Sequence, residues 1–200
     1  MKQNKIKIIG ITGGIGSGKS EVVKILAKDF KAYTIIADDV AKRLSEKGNI
    51  SYQLIVDCFG SEILLENGDI DRSKLAETVF KNNKRLSELN AYVHPYVKEA
   101  ILKEVSDVKS GGVYAYIVIE AALLVDDGFK DICDELWYIF SDENIRRKRL
   151  KASRNYSEDK IDSIIENQPG ESAFKNACDR IIINNTNLED LSRQIKEYLN

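Results

Sequence analysis

The chain has 200 residues, 43% hydrophobic and 31% charged, and a formal net charge of −2 at pH 7. That much apolar side chain excludes a disordered chain, and two prolines and twelve glycines exclude collagen-like and low-complexity classes. Charge divides mildly, +3 over residues 1–100 and −5 over residues 101–200, too little for the basic face of a general nucleic-acid binder.

Lys5 to Ile11 is short and rich in β-branched residues, which predicts a buried strand. A glycine cluster follows, and then Val22, Val23, Leu26 and Phe30 recur at helical spacing. Tyr33 to Ile36 is the second predicted strand, and Ala37 to Lys47 a helix stopped by Gly48. From about Asn49 to Lys109 the chain reads as mostly helical. Asp71 is a good N-cap, and Leu86, Leu89, Val93, Val97, Ile101 and Val105 mark one face of a long helix. Pro95 should begin or kink a segment there, and Glu62 to Glu66 with Asn67-Gly68 has the turn chemistry of a small hairpin. Val113 to Glu120 and Glu135 to Phe140 are the third and fourth strands. Asp142 to Ser153 is a basic helix, Ser157 to Asn167 another, Arg180 to Ile183 the fifth strand and Leu188 to Leu199 a closing helix.

Strands alternating with helices imply a parallel sheet covered on both faces. The expected organisation is one domain. Its α/β core covers about 1–48 and 110–200, with a helical substrate-binding insertion over about 49–109 and a small lid over about 142–170. Cys58, Cys133 and Cys178 form no CxxC pair, so a zinc or redox motif is not expected, and scattered thiols suit a reducing cytoplasm. The apolar run at Ile6 to Ile11 is too short for a membrane span or signal peptide. The sequence therefore reads as a soluble cytoplasmic protein with no membrane or nucleic-acid partner.

Residues Gly13 to Ser20 fit G-x-x-x-x-G-K-[ST], the Walker A or P-loop pattern, between a predicted strand and a predicted helix. Small residues let backbone N–H groups converge on phosphate oxygens, and the helix N-terminus adds its positive end. Lys19 would reach the β and γ phosphates, and the Ser20 hydroxyl would bind Mg²⁺. A P-loop protein also needs an acid at the end of a neighbouring strand for the magnesium shell, and Glu120 has that place. Asp38 and Asp39 follow the second strand directly. Spacing alone allows either helix capping or an acid that orients an acceptor hydroxyl and takes its proton. Residues 142–154 carry six basic side chains, among which Arg146 and Arg149 share a face at i, i+3 spacing. Such a pair can clamp phosphoryl oxygens, although a charge run is usually a solvated face. His94 is the only histidine, so a metal site or Ser/His triad is not expected, and Trp137 and Tyr138 read as core.

A GTPase switch is a rival reading. Asp57 to Gly60 matches D-x-x-G, but the guanine-reading N-K-x-D is missing, since Arg85-Leu86 follows Asn83-Lys84. An ABC-type ATPase would need an L-S-G-G-Q element that is absent. A silent nucleotide sensor stays open. The length, the helical block after strand two and the late basic helix suit a small-molecule kinase that covers its substrates against water.

Over nearly its whole length the sequence resembles the dephospho-coenzyme A kinase family of the P-loop nucleoside and nucleotide kinases. Gly10 to Ser20 matches that family's G-[IL]-T-G-G-I-G-S-G-K-[ST] throughout. Ile36 to Ala41 resembles its D-A-D-x-[IV]-A, with the second Asp at Asp38 and Ile36 in place of the first. Asp71-Arg72 with Leu75, Ala76, Val79 and Phe80, the His94-Pro95 pair, Gln168-Pro169, and Asp179 to Asn184 resemble later family elements. There are two further departures. Glu120 to Asp126 stands for D-x-P-L-L-[FY]-E without the proline and with the acids exchanged, and in the lid's R-L-x-x-R the second arginine, Arg154, falls one place late.

The resemblance implies a P-loop NTP hydrolase-type three-layer fold with a five-stranded parallel sheet. It implies phosphoryl transfer from ATP and Mg²⁺ to the ribose 3′-hydroxyl of dephospho-coenzyme A; separately, the chain is expected to be a monomer or weak homo-oligomer. Another P-loop kinase acting on a nucleoside or nucleotide is the alternative. Implied nucleotide ligands are Gly14, Ile15, Gly16, Ser17, Gly18, Lys19 and Ser20, with Asn184 in the loop near the adenine. Ser20 and Glu120 would place the metal. Lys19, Asp38 as the base, and Arg149, with Arg146 or Arg154 beside it, would act on the transferred group.

Overall fold

The computed structural model describes residues 5–80, 83–121 and 129–199. In chain order the elements are β1 (Lys7–Thr12), α1 (Lys19–Asp29), β2 (Tyr33–Ile36), α2 (Ala37–Leu44), α3 (Ile50–Phe59), α4 (Arg72–Phe80) and α5 (Asn83–Gly111). They continue with β3 (Tyr116–Glu120), β4 (Glu135–Phe140), α6 (Glu143–Arg154), α7 (Glu158–Glu166), α8 (Glu171–Ala177), β5 (Arg180–Ile183) and α9 (Leu188–Leu199). The chain divides into two compact units, Met1–Ile35 with Val108–Asn200, and Ile36–Asp107.

The first unit is built on one five-stranded, all-parallel sheet in the order β2-β3-β1-β4-β5. Central strands of such a sheet are covered on both faces and so read as continuous apolar runs. Ile117, Val118 and Ile119 in β3 and Trp137 and Ile139 in β4 have no exposed surface. The Trp137 indole N–H donates to Glu135 Oε2 at 2.9 Å, and its ring meets Tyr198 of α9 edge-to-face at 5.8 Å. Thus a large buried aromatic keeps its polar handle satisfied.

Two aspartates set the register at the start of the strands. Asp134, one residue before β4, accepts the Ile8 N–H of β1 at 2.8 Å and donates its own N–H to the Ile8 carbonyl. Asp179, one residue before β5, treats Leu136 of β4 in the same way, also at 2.8 Å. The outer edge of β5 would offer unpaired backbone groups. Gln194 of α9 answers both groups of Ile183, accepting from its N–H at 2.9 Å and donating to its carbonyl at 2.8 Å.

β3 begins at Tyr116 rather than Val113, because its first rung pairs Lys7 with Tyr116. Val113 lies before that rung and is 79% exposed. The short α8 was not expected from the pattern. It buries Phe174, whose ring stacks on Tyr138 at 4.9 Å.

The second unit holds α2, α3, α4 and most of α5. The Asp71 carboxylate accepts the N–H groups of Ser73 and Lys74 at 3.0 and 3.1 Å, which caps α4. The expected hairpin is a single antiparallel bridge, Leu64 with Ile70, closed by Gly68 in the left-handed region. Pro95 does not begin a helix. It lies inside α5, where Val93, Val97, Ile101 and Val105 form one buried stripe. Packing of that stripe carries the helix through a residue that costs about 3 kcal/mol in a helix interior. His94 therefore lies inside α5. No helix among the described residues is long and apolar enough to cross a membrane.

Candidate functional site

The loop from Gly13 to Gly18 joins β1 to α1. Gly18 is the N-cap of α1 at φ 94° and ψ 26°, a left-handed conformation that only glycine takes without strain, and no side chain caps the helix. The Glu21 N–H bonds to the Gly18 carbonyl at 3.0 Å, whereas those of Lys19 and Ser20 open the helix with no intrahelical acceptor, the arrangement that suits an anion. Lys19 Nζ folds back over the loop and donates to the Gly13 carbonyl at 2.8 Å and the Gly14 carbonyl at 3.4 Å. Ser20 stands exposed in the first turn. The predicted set Gly14 to Ser20 thus forms one continuous structure.

The basic residues of α6 sort by face. Arg147 pairs with Glu143, Glu158 and Asp162, and Lys151 with Glu158, so both are used in fixing α6 to α7. Arg154 lies 5.9 Å over the Tyr156 ring. Arg146 and Arg149 instead reach the phosphate loop. Arg146 Nε donates to the Ile15 carbonyl at 2.8 Å. Its guanidinium lies over Gly14, where a Cβ would come within 2.6 Å of it. The glycine leaves room for this close approach.

Arg149 is a brace. It donates to Ser141 Oγ at 3.2 Å, to the Asn184 carbonyl at 3.0 Å, and to the Ser17 carbonyl at 3.4 Å. Asn184 is buried and completes the brace. Its Nδ2 donates to the Ser17 carbonyl at 2.8 Å, while its Oδ1 accepts from Arg149 at 3.3 Å. Both functions of that amide are committed to protein groups. The end of β5, the start of α6 and the phosphate loop are thereby tied together.

The electrostatics separate the neighbouring arginines. Hydrogen bonds that it donates to Glu143 and Asp162 hold the Arg147 guanidinium above its ordinary value. Burial pulls Arg146 below its ordinary value, and among the described residues no carboxylate pairs with it. A half-buried cation in that position gains most from an incoming anion. Beside it, a cavity of about 330 Å³ is lined by Gly14, Tyr138, Phe140, Arg146, Gln168 and Phe174, among others. The contact of Gln168 with the loop was not foreseen. Its oxygen accepts the Ile15 N–H at 3.0 Å; the sequence marks the residue only through the family resemblance of Gln168-Pro169, which says nothing of this contact.

Glu120 ends β3 in register with Ile11 of β1, next to where the loop departs. The companion stretch Ala122 to Asp126 lies outside the described residues. Asp38 and Asp39 occupy the first turn of α2, whose N-cap is Ile36, so neither acid is the cap. Asp39 pairs with Lys42 at 3.0 Å. Asp38 is exposed and makes no hydrogen bond or ion pair among the described residues.

A P-loop at the end of a central parallel strand, with two arginines of a later helix on it, defines a nucleoside-triphosphate-binding protein of the P-loop kinase class. The dephospho-CoA kinase family model matches residues 7–190. A dephospho-CoA kinase from Fusobacterium nucleatum is 38% identical over 194 residues, 96% of this chain and 97% of that protein. One from Carboxydothermus hydrogenoformans is 38% identical over 195 residues, 97% of this chain and 93% of that protein. A solved structure from Thermus thermophilus superposes with a TM-score of 0.82 at 28% identity, covering 97% of this chain and 96% of that one. The chain belongs to the dephospho-CoA kinase family.

Proposed function

We propose that the protein transfers the γ-phosphoryl group of ATP to the ribose 3′-hydroxyl of dephospho-coenzyme A, giving coenzyme A and ADP, the last step of coenzyme A biosynthesis. The observation that carries this reading is the family match over residues 7–190, which includes the whole phosphate loop. It favours this reading over the nucleoside kinase and the silent sensor that the motifs alone left open.

The chemistry needs few parts. The hydroxyl oxygen attacks the γ phosphorus, the bond to the β–γ bridging oxygen breaks, and the hydroxyl proton leaves. Asp38, an exposed carboxylate that no other side chain engages among the described residues, orients the hydroxyl and takes that proton. Backbone N–H groups of the loop hold the phosphates, other than those of Ile15 and Ser17, which bond to Gln168 and to the Gly14 carbonyl, and Lys19 exchanges its loop carbonyls for phosphate oxygens. Arg146 balances the charge that spreads over the transferred group, and Arg149 and Asn184 hold the loop in shape at the adenine side. The helical unit binds the acceptor.

Ser20 and Glu120 offer a hydroxyl and a carboxylate oxygen, hard donors that suit Mg²⁺. Among the described residues no group of three or more His, Cys, Asp or Glu could hold a metal, so these two donors suit a cation shared with phosphates. When bound, the ion neutralises phosphate charge.

Lys19→Ala and Asp38→Asn are each expected to lower kcat by a factor of at least about 1,000, with circular dichroism matching wild type. Full turnover in either variant contradicts the assigned roles.

A further inference from the structure

Gln168 lies between α7 and α8, with its own N–H on the Ile165 carbonyl at 3.2 Å. Pro169 follows and restricts its backbone to extended conformations. Its side chain is therefore aimed by a short, constrained connection. The carboxamide oxygen accepts two donors, the Ile15 N–H at 3.0 Å and an Arg146 guanidinium N–H at 3.2 Å. Arg146 Nε closes the ring on the Ile15 carbonyl at 2.8 Å. Both backbone groups of one phosphate-loop residue, the arginine over that loop and this glutamine thus form a closed set.

We propose that Gln168 is a positioning residue for phosphoryl transfer, which holds the Arg146 guanidinium and the Ile15 backbone in one fixed arrangement. The proposal rests on the reading of Arg146 as the group that balances charge on the transferred phosphoryl. The choice of glutamine follows from charge. A neutral carboxamide oxygen fixes the guanidinium and leaves its positive charge for the phosphate. A glutamate could make the same two hydrogen bonds but would pair with Arg146 and cancel that charge. Without any acceptor at this position, the guanidinium keeps only its bond to Ile15 and can turn away, and misplacement by about 1 Å costs on the order of 100-fold in rate.

The test is a set of steady-state measurements on the full chain with ATP, Mg²⁺ and dephospho-coenzyme A, for Gln168→Ala, Gln168→Glu, Arg146→Met and the double variant Arg146→Met with Gln168→Ala. Thermal melting of each variant reports folding. Gln168→Ala is expected to lower kcat by a factor of about 10 to 100, with KM for the acceptor within about threefold. Gln168→Glu is expected to lower kcat at least as far, although its carboxylate can still accept both hydrogen bonds. In the Arg146→Met background the Ala substitution is expected to change kcat by less than about twofold, because the group it positions is gone.

Three results overturn the proposal while leaving the role of Arg146 intact. One is a Gln168→Ala variant with kcat within about twofold of wild type, or with a lower KM for ATP at unchanged kcat. Another is losses that multiply in the double variant. The third is a Gln168→Glu variant clearly milder than Gln168→Ala, the pattern of a merely structural hydrogen bond. If Arg146→Met alone loses no activity, the role of Arg146 has failed and takes the proposal with it, a pattern distinct from the other three. Gln168→Glu is nearly isosteric, so it remains informative should the Ala variant lose stability.

Discussion

Arg146 and Arg147 are adjacent on one helix, yet only Arg147 has its charge matched by carboxylates. That difference is what makes Arg146 available to a phosphate. The i, i+3 spacing of Arg146 and Arg149 was legible in the sequence, because helical periodicity fixes which residues share a face. Their division of labour was not, because it depends on Ser141 just before the helix and on Gln168 and Asn184, which approach from later parts of the chain. Ser17 shows the same limit. Its N–H belongs to the phosphate loop, but its Oγ is buried without a hydrogen-bond partner among the described residues. A buried, unsatisfied hydroxyl costs about 1–3 kcal/mol. Ser17→Ala is therefore expected to raise stability by about 1 kcal/mol in urea unfolding, and a loss of stability would contradict this account of the hydroxyl. The cysteines make a second case. Burial pushes the Cys133 thiol up to about 12 and the Cys178 thiol up to about 11. The thiolate is the reactive form. At pH 8 both are expected to react with iodoacetamide at least about tenfold more slowly in the native protein than after unfolding. Mass spectrometry of their peptides checks this, and equal rates would contradict it.

Among the elements, the strands are held at their starts by side chains that sequence periodicity does not flag. Asp134 shows how. Burial opposes its charge, but the Ile8 N–H and the ammonium of Lys5 outweigh burial and lower its pKa. Because the folded value lies below the unfolded value of about 3.9, the stabilisation is complete above that value. It is lost as pH falls from there through the folded value. Asp134→Ala is expected to cost about 1 kcal/mol at pH 7, with the gap to wild type narrowing by pH 3. A constant difference between urea unfolding curves at the two pH values would contradict the assignment. The five strands themselves were legible, since buried parallel strands carry continuous apolar runs. The start of β3 was misplaced because a strand ends where its partner ends, and the pairing of Tyr116 with Lys7 is not written locally. Pro95 misled for a related reason, since its local cost is outweighed by the buried stripe on either side of it.

At the scale of the molecule, the alternation of strands and helices indicated a parallel sheet, and the phosphate loop indicated the nucleotide. The strand order β2-β3-β1-β4-β5 was not legible, because lateral order depends on crossovers that leave no periodic trace. The division at Ile36 places α2, with Asp38, in the helical unit, whereas the apolar pattern had grouped that helix with the sheet. The acceptor is the part of the function that single residues show least, and it rests on the match over residues 7–190. The most direct measurement is ADP release from ATP and Mg²⁺ against a panel of acceptors, comprising dephospho-coenzyme A, nucleosides, nucleoside monophosphates and a control without acceptor. The account predicts turnover with dephospho-coenzyme A and only the control rate with the others. Turnover with a nucleoside or nucleotide in its place, or ADP release that no acceptor accelerates, would contradict it.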